Sequence, residues 1–463
     1  MKKNQKIHFV GIKGVAMTAL AVWYKEAGHA VTGSDVAEEF PTDEILAKAN
    51  IRVVPFDVKN IGGRVKPDLV IYTGAHGGKD NPEVVEAEAL GIPTLPHGKA
   101  LGRVMADKKQ VSVAGSHGKT TTTAMIATML STAGLDPSWA VGCGEIRGLG
   151  LPGHFGRGGV FVAEADEYVT DPGHDGTPRF LWQHPDILVV TNIDYDHPDA
   201  YASLEAVQDA FVKLQNKSRI TIANADDPAS SVLAKNAITY GFSPRAEYQI
   251  SGVTFGDDRT FFTLNQRGMK IKDFVLNVPG KHNAANAAAA AVACKQLGLP
   301  WEQIHEGLSA FGGTKRRFEL VGKIGDTRVI DDYAHHPKEI MATLAAARQW
   351  YPKQRIIVVF QPHTYSRTKA LLHEFAGAFG DATEVIITDI YASARETQTL
   401  GVTGKTLVQE VASHNRSVYF APGFSDVQKI VCGHMRDGDV IIFMGAGDIY
   451  GWGKKLINNY EHS

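Results

Sequence analysis

The stretch VSVAGSHGKTTTTAM, residues 111–125, places two glycines, a lysine and four threonines between two apolar runs. Gly115 and Gly118 allow the backbone to turn and expose its N–H groups, and a helix that begins after them offers its positive end to an anion. The alternative is a polar turn followed by a threonine-capped helix start. Because a strand pattern precedes the glycines and a helical pattern follows them, we favour a phosphate-binding loop between a strand and a helix.

The residues after the glycines suit the same chemistry. Lys119 can reach the β- and γ-phosphates of a nucleotide, and the hydroxyl of Thr120 can ligate Mg²⁺. The match to the pattern G-x-x-x-x-G-K-[ST] is incomplete, because Val113 stands where the first glycine would fall. The sequence therefore predicts phosphate binding by a shortened loop.

Alternating strand and helix patterns extend from this loop in both directions. KIHFVGI, VAMTALAVWYKEAG and HAVTGSD precede it as strand, helix and strand, and the alternation returns near the C-terminus in RVIDDYAHHP, RIIVVFQPH, EVIITDIY and VIIFMGAGD. This order predicts an α/β protein with parallel sheets and crossover helices. The length of 463 residues favours about three domains, which we place at 1–106, 107–315 and 316–463.

Charge and cysteine usage exclude several classes of protein. Lys+Arg 48 against Asp+Glu 50 gives a net charge of -2, so no general field attracts nucleic acid or an anionic membrane. No window reaches the roughly 20 apolar residues that a membrane span needs. Cys143, Cys294 and Cys432 have neither metal-type spacing nor an even number, so we expect small buried side chains in a reducing compartment. We expect a soluble, cytoplasmic protein.

Acidic residues and a histidine follow two further apolar strands, in VFVAEADEY and ILVVTNIDYDHPD. Ligands of parallel α/β sheets gather outside the carboxyl ends of the strands. Glu164 can therefore hold Mg²⁺ beside Thr120, and neutral His197 can hold a second ion, although magnesium usually takes oxygen ligands. A surface carboxylate and a hydrogen-bonded histidine are the alternatives, and the shared position at strand ends favours the metal interpretation.

Two polar pairs lie farther along the chain. Asn283 and Asn286, three residues apart in KHNAANAAAAA, lie on one helical face and could bind an adenine edge, or they could cap the helix. Arg316 and Arg317 in GGTKRRFEL could clamp a phosphate, or they could be a solvated charge pair. The residues themselves leave both questions open.

The first strand ends in GIKGVAM, with Gly11 and Gly14 in a G-x-x-G pattern. Met17 replaces the third glycine of the dinucleotide fingerprint, so an NAD-dependent oxidoreductase is disfavoured. A nucleotide-dependent switch is the other alternative, but it does not explain two separate glycine loops and a third α/β segment.

Taken in order, GSHGKTTTT, EADE, TNIDYDH, NADDP, HNAANA, KRRFE, DDYAHHP and QPHTYSRT resemble the Mur ligases of bacterial peptidoglycan synthesis over nearly the whole chain. The resemblance implies an N-terminal Rossmann-like domain, a central P-loop ATPase domain and a C-terminal Rossmann-like domain. It implies ATP-dependent joining of L-alanine to the lactyl carboxylate of UDP-N-acetylmuramate through an acyl phosphate, with Mg²⁺ as cofactor. We expect no nucleic-acid or membrane partner, and a monomer or weak homodimer.

The resemblance also implies roles for individual residues. ATP binding falls to Gly115, Ser116, His117, Gly118, Lys119, Thr120, Thr121, Asn283, Asn286, Arg317 and Asp332. Metal binding falls to Thr120, Glu164 and His197, and catalysis to Lys119, Glu164, His197, Arg317 and Asp332. Substrate binding falls to Gly11, Gly14, Ser34, Asp35, Thr73, Gly74, Ala75, Tyr333, His335, His336 and Arg367.

Two departures from the family pattern concern the acceptor and a lysine. The segment after EADEY is longer and richer in glycine than is usual for alanine addition, and Tyr168 replaces a common serine. Both features resemble the murein-recycling members, so the alternative acceptor is the tripeptide L-alanyl-γ-D-glutamyl-meso-diaminopimelate. MGAGDIY near the C-terminus favours alanine. Val212, beside Lys213, stands where some members carry a carbamylated lysine, so we expect no carbamate.

Overall fold

The computed structural model describes residues 4–197, 199–392, 396 and 398–461. The chain forms two compact units. The first runs to Thr254 and includes Phe261–Asn277 and Asn283–Thr314, and the second contains Phe255–Thr260, Val278–His282 and the chain from Lys315 onward. The predicted α/β architecture with parallel sheets is confirmed in both units.

A five-stranded parallel sheet opens the first unit, in the order β3-β2-β1-β4-β5. Its apolar strands are buried between helices, and Val10 at the end of β1 pairs with Ser34 of β2 and Tyr72 of β4. The ends of these three strands therefore lie side by side. The elements are β1 Lys6–Val10, α1 Val15–Glu26, β2 Ala30–Asp35, α2 Pro41–Lys48, β3 Arg52–Pro55, α3 Lys59–Gly62, β4 Leu69–Tyr72, α4 Pro82–Ala89, β5 Thr94–Pro96 and α5 His97–Met105.

A ten-stranded sheet follows, in the order β17-β16-β15-β14-β13-β12-β6-β9-β7-β8. Strand β6 lies between β12 and β9 and is parallel to both. The elements are β6 Lys109–Ala114, α6 Lys119–Thr132, β7 Ser138–Ala140, β8 Gly153–His154, β9 Val160–Ala165, β12 Ile187–Val190, α7 Leu204–Gln215, β13 Ile220–Asn224, β14 Ile238–Gly241, β15 Tyr248–Gly256, β16 Arg259–Gln266, β17 Met269–Leu276, α8 Lys281–Gln296 and α9 Trp301–Ala310.

A separate antiparallel hairpin joins β9 to β12. It consists of β10 Val169–Asp171 and β11 Asp175–Pro178, and a short 3₁₀ turn, Arg179–Trp182, follows it. This hairpin occupies the segment that the sequence marks as longer than usual for alanine addition.

The second unit contains a six-stranded sheet in the order β18-β19-β23-β20-β21-β22, in which only the β18–β19 pair is antiparallel. Its strands β20 and β23 are wholly apolar and buried, as expected for a parallel sheet covered on both faces. The elements are β18 Glu319–Ile324, β19 Thr327–Asp332, α10 Pro337–Trp350, β20 Ile356–Phe360, α11 Tyr365–Ala370, α12 Leu372–Ala376, β21 Glu384–Ile387, α13 Gly404–Val411, β22 Val418–Phe420, α14 Phe424–His434, β23 Val440–Met444 and α15 Trp452–Glu461.

Burial of the cysteines follows the prediction at two positions out of three. Cys143 and Cys294 are buried, but Cys432 is exposed, so the expectation of a buried side chain is wrong there. Helix α14 buries Val427 and Val431, and residue 432 lies off that apolar stripe. Within the described ranges, no helix has the length and apolar character required to cross a membrane.

Buried His97 makes the first unit sensitive to acid. Burial lowers the pKa of His97 to about 4, so the unfolded chain binds one more proton than the folded chain between that value and about 6.5. Stability should therefore fall as the pH falls through this window, by about 2 kcal/mol between pH 6.5 and pH 5. Urea unfolding of the wild type and of His97→Gln at pH 7 and pH 5 measures the difference. Equal losses of unfolding free energy in the wild type and in His97→Gln would show that His97 does not cause this pH dependence.

Candidate active site

The loop between β6 and α6 has the shape that the sequence predicts for phosphate binding. Gly115 and Gly118 adopt φ values of +134° and +86°, which strongly favour glycine. A Cβ atom at Gly118 would lie 2.6 Å from Oδ1 of Asn286. The following helix begins at Lys119, so its unpaired N–H groups and positive end face the loop.

The end of β12 fixes the conformation of this loop. The Asn192 side chain accepts a hydrogen bond from the His117 N–H at 2.9 Å and donates one to the His117 carbonyl at 2.9 Å. The Thr191 hydroxyl donates to the same carbonyl at 2.6 Å. Neither residue was predicted from the sequence, although TNID follows a strand that the parallel sheet places next to β6. These three hydrogen bonds fix the backbone of the loop at His117.

Lys119 lies inside the loop and carries a charge. Its Nζ donates to the Gly115 carbonyl and lies 2.9 Å from Oε2 of Glu167. Burial alone would lower the pKa of Lys119, but the carboxylates of Glu167 and Asp166 outweigh that effect and raise it. A bound phosphate would therefore find an ammonium group already inside the loop and would compete with Glu167 for it.

Glu167 is the central acidic residue of the site, and it is not among the residues predicted from the sequence. Its side chain is 3% exposed, and Oε1 lies 3.6 Å from Nε2 of His197. Burial would raise the pKa of Glu167, but the Lys119 charge and the His197 hydrogen bond hold it below its usual value. The motif EADEY contains three acidic residues, and their order along the chain did not indicate which one faces the lysine.

Asp166 forms a second ion pair beside this centre and is partly exposed. Its Oδ2 accepts a hydrogen bond from Nη1 of Arg179 at 2.8 Å. Burial would raise the pKa of Asp166, but the charges of Arg179 and Lys119 lower it to about 2. Two carboxylates and two cations are thus packed together at the carboxyl end of β9.

The predicted metal ligands occupy the same end of the sheet. Glu164 is the half-buried, next-to-last residue of β9 and lies opposite Val113, and its Oε1 accepts the Gly142 N–H at 2.6 Å. Thr120 is buried in the first turn of α6. In the described part of the chain, no group of three or more His, Cys, Asp or Glu side chains is arranged to hold a metal ion. One carboxylate and one hydroxyl fit Mg²⁺, which usually retains water and phosphate ligands.

His197, the other predicted metal ligand, is held by acidic and aromatic neighbours. In addition to Glu167, it lies 3.9 Å from Oδ2 of Asp196, and the Tyr168 ring packs edge-on against it. Burial would lower the pKa of His197, but Glu167 and Asp196 raise it. The arrangement is that of a hydrogen-bonded histidine, and its predicted role as a metal ligand stays a prediction.

Helix α8 brings the two predicted adenine-binding residues to the phosphate loop. Asn283 and Asn286 are each 8% exposed, and Nδ2 of Asn286 donates to Oδ1 of Asn283 at 3.1 Å. Asn286 also packs against Gly118. The pair therefore shares one helical face beside the loop, as its spacing predicts.

The substrate residues predicted in the N-terminal sheet also come together. The Gly11 N–H donates to the Ser34 carbonyl at 2.9 Å, and the Asp35 carboxylate accepts the Lys13 N–H at 2.7 Å. Loop residues Thr73, Gly74 and Ala75 follow β4, which pairs with β1. Gly14 precedes the first residue of α1. All seven of these predicted residues therefore lie at or just after the ends of β1, β2 and β4.

A buried polar network lies beneath Ser34 and was not foreseen. The Ser34 hydroxyl donates to Glu83, and Nε2 of His8 lies 3.4 Å from the same carboxylate. Asn60 donates to the other oxygen of Glu83 at 2.7 Å. These hydrogen bonds lower the pKa of Glu83 against the effect of burial, and they tie β1, β2 and α4 together.

Of the other predicted residues, Ser116 lies in the phosphate loop and Thr121 in the first turn of α6, and the rest belong to the second compact unit. Arg316 is 11% exposed and lies 3.4 Å from Oδ2 of Asp331, and it donates to the Gly445 carbonyl at 2.5 Å, so the interpretation as a solvated charge is wrong for this residue. The guanidinium of Arg317 lies 5.1 Å from the Tyr333 ring centre. Of the two arginines, Arg317 is the one predicted to reach the nucleotide.

Asp332 and the two histidines after it mainly organise the local backbone in this unit. The Asp332 carboxylate accepts the N–H groups of Phe318 and Ala334 at 2.7 and 2.8 Å, and burial raises its pKa against the charge of Arg317. His336 caps α10, and Nδ1 of His335 lies 3.0 Å from the Tyr333 carbonyl. Half-buried Arg367 lies on α11. Substrate contacts by these residues stay predictions.

Comparison with known proteins identifies related sequences along the chain. Residues 6–109 match the Mur ligase family catalytic domain, residues 113–294 the Mur ligase middle domain and residues 316–447 the Mur ligase glutamate ligase domain. A UDP-N-acetylmuramate–L-alanine ligase of Desulfitobacterium hafniense (strain Y51) is 39% identical over 458 residues, which cover 97% of this chain and 99% of the relative. The enzyme of the same name from Trichlorobacter lovleyi is 38% identical and covers 98% of both chains.

Solved structures resemble the whole fold. The UDP-N-acetylmuramate–alanine ligase of Thermotoga maritima has a TM-score of 0.85 at 30% identity and covers 99% of this chain and 100% of its own. A murein peptide ligase of Psychrobacter arcticus has a TM-score of 0.72 at 25% identity and covers 99% of both chains.

Proposed function

Because this chain belongs to the Mur ligase family, we propose that it uses ATP to join L-alanine to the lactyl carboxylate of UDP-N-acetylmuramate. The observation that carries the proposal is full-length similarity, at 38–39% identity, to relatives named for this reaction. The product would be UDP-N-acetylmuramoyl-L-alanine, together with ADP and phosphate. We also propose three domains at residues 1–106, 107–315 and 316–463.

The first step would be phosphoryl transfer. The lactyl carboxylate would attack the γ-phosphorus of ATP and release ADP, which gives an acyl phosphate. Lys119 and the N–H groups at the start of α6 would bind the phosphates, and Asn283 and Asn286 would bind adenine. Thr120 and Glu164 would hold Mg²⁺, which neutralises phosphate charge when bound. Positioning and charge neutralisation supply most of the catalysis in such a step.

The second step would be amide formation. The neutral amine of L-alanine would attack the acyl carbon, and phosphate would leave from the tetrahedral intermediate. Arg317, with its fixed positive charge, would stabilise the oxyanion, and Tyr333, His335, His336 and Arg367 would surround the amino acid. No protein nucleophile is needed, because the acyl phosphate already carries the leaving group.

We propose that the enzyme works in the cytoplasm, where ATP is available, as a monomer or weak homodimer. The net charge of -2 supports a small-molecule substrate over nucleic acid or an anionic membrane.

The test of the acceptor is phosphate release from ATP with UDP-N-acetylmuramate, with either L-alanine or the tripeptide L-alanyl-γ-D-glutamyl-meso-diaminopimelate. We expect release that depends on L-alanine. Preference for the tripeptide would show that the chain catalyses the recycling reaction instead. The longer segment after EADEY is the feature that favours this alternative. Release with neither acceptor would refute ligation.

Replacement of Asp35 by alanine should mainly weaken sugar-nucleotide binding. The change removes the acceptor for the Lys13 N–H, and loss of a hydrogen bond to a charged group costs about 1.5–3 kcal/mol. The KM for UDP-N-acetylmuramate should rise about tenfold or more, with little change in the KM for ATP. An equal rise in the KM values for UDP-N-acetylmuramate and for ATP would show that the loss of Asp35 disturbs the whole protein and not the sugar-nucleotide site alone.

A further inference from the structure

The hairpin formed by β10 and β11 packs against the loop that follows β4. Asp171 at the end of β10 is 1% exposed, and its Oδ2 accepts the Lys79 N–H at 3.0 Å. A Cβ atom built at Gly78 would lie 1.9 Å from Oδ1 of Asp171. Gly78 has a φ of +53°. The carboxylate therefore fits against a backbone turn that accepts no side chain.

The same hairpin contacts the first residues of that loop. A Cβ atom at Gly74 would lie 2.8 Å from the Thr170 carbonyl and 2.9 Å from Pro172. Thr73, the preceding residue, donates its N–H to the Val10 carbonyl at 3.1 Å. The loop is thus held between β1 on one side and the hairpin on the other.

Three side-chain contacts hold the hairpin and the turn that follows it in place. The indole N–H of Trp182 donates to the Thr170 hydroxyl at 2.9 Å, and Lys99 of α5 pairs with Asp175 at 3.0 Å. Arg179 reaches Asp166 beside the phosphate loop. Because these contacts hold the hairpin in one position, the hairpin can fix the position of the loop after β4.

We propose that Asp171 is a positioning residue for the sugar nucleotide. Its carboxylate fixes the backbone turn at Gly78 and Lys79. The position of that turn then determines the position of Thr73, Gly74 and Ala75 in the substrate pocket. The inference rests on the proposed function, because it takes UDP-N-acetylmuramate as the ligand of that loop. It assigns a role to the segment that departs from the usual alanine-adding pattern.

Two variants test the contact from its two sides. Asp171→Ala removes the acceptor, and Gly78→Ala pushes a methyl group into it. Each should raise the KM for UDP-N-acetylmuramate about tenfold and leave the KM for ATP within about twofold. Asp171→Asn keeps an oxygen acceptor for the Lys79 N–H and should stay within about threefold of the wild type. The double variant Gly78→Ala with Asp171→Ala should match Asp171→Ala alone, because the clash is gone.

Matched controls separate the contact from general strain. Gly91 also has a positive φ, +70°, but a Cβ atom there meets nothing within 4 Å, so Gly91→Ala should leave both KM values unchanged. His174→Ala removes an exposed pair with Asp80 at the hairpin tip and should also be neutral.

Calorimetric titration with UDP-N-acetylmuramate in the absence of ATP gives a second readout. We expect the dissociation constants to follow the KM values. Unchanged binding by folded Asp171→Ala, or equal losses in Gly91→Ala and Gly78→Ala, would overturn the inference. Wild-type protein that neither binds nor ligates the sugar nucleotide would instead refute the proposed function.

Discussion

Lys119→Ala should lower the rate of ligation at least about 1,000-fold, a loss typical for a charged group that stabilises the transition state. The ammonium lies inside the phosphate loop with Glu167 as its partner, so the variant removes the positive charge that would meet the transferred phosphate. Alanine supplies neither charge nor reach. Single-turnover measurement of ADP formation at saturating ATP, UDP-N-acetylmuramate and L-alanine gives the rate of the chemical step.

Lys213→Ala is the matched control for this experiment. Lys213 is exposed on α7, one residue beyond the position where a carbamylated lysine occurs in some family members. Its replacement should leave the rate unchanged, which also tests the expectation that no carbamate is needed. A folded Lys119→Ala protein with near-normal turnover would refute the phosphate assignment.

Glu167→Gln should reduce both stability and activity. Removing one partner of a buried ion pair leaves the other charge uncompensated and costs about 3 kcal/mol or more. Lys119 would lose the carboxylate that contributes most to raising its pKa, and His197 would lose the nearer of its two acidic neighbours. We expect unfolding at a lower temperature and a rate of ligation reduced about 100-fold.

The double variant Lys119→Met with Glu167→Gln separates the two effects. It removes both charges, so much of the lost stability should return, while the rate of ligation stays at least about 1,000-fold below that of the wild type. Thermal unfolding of the wild type, Lys119→Met, Glu167→Gln and the double variant completes the cycle. Additive losses of stability would show that the two side chains do not interact as their 2.9 Å separation requires.

Much of the fold was predictable because strand and helix periodicity is a local property of the sequence. The alternation around GSHGKT indicated β6 and α6, and α8 follows the alanine-rich run that predicted it. The spacing of Asn283 and Asn286 placed them on one face without any knowledge of the sheet. Parallel pairing then brought the ends of β6, β9 and β12 together.

Some parts of the site depend on contacts between distant residues, and these were not predictable. EADEY offers three acidic residues, and only the backbone course after β9 decides that Glu167 faces Lys119. Asn192 lies 75 residues from His117 in sequence, and Asp171 lies 92 residues from Lys79. No local periodicity encodes such pairs. Cys432 escaped prediction for a related reason, because burial of a small side chain depends on which helical face meets the core.

The division of the chain into two units restricts how the protein can be cut into fragments. Phe255–Thr260 and Val278–His282 belong to the second unit although they precede residue 315, and the Thr260 hydroxyl donates to the Val278 carbonyl at 2.9 Å. A fragment that starts at Lys315 would lack both segments, and the complementary fragment would carry them without their unit. A fragment of residues 315–463 should therefore unfold at a lower temperature than the second unit does in the whole chain, which calorimetry of the two proteins measures.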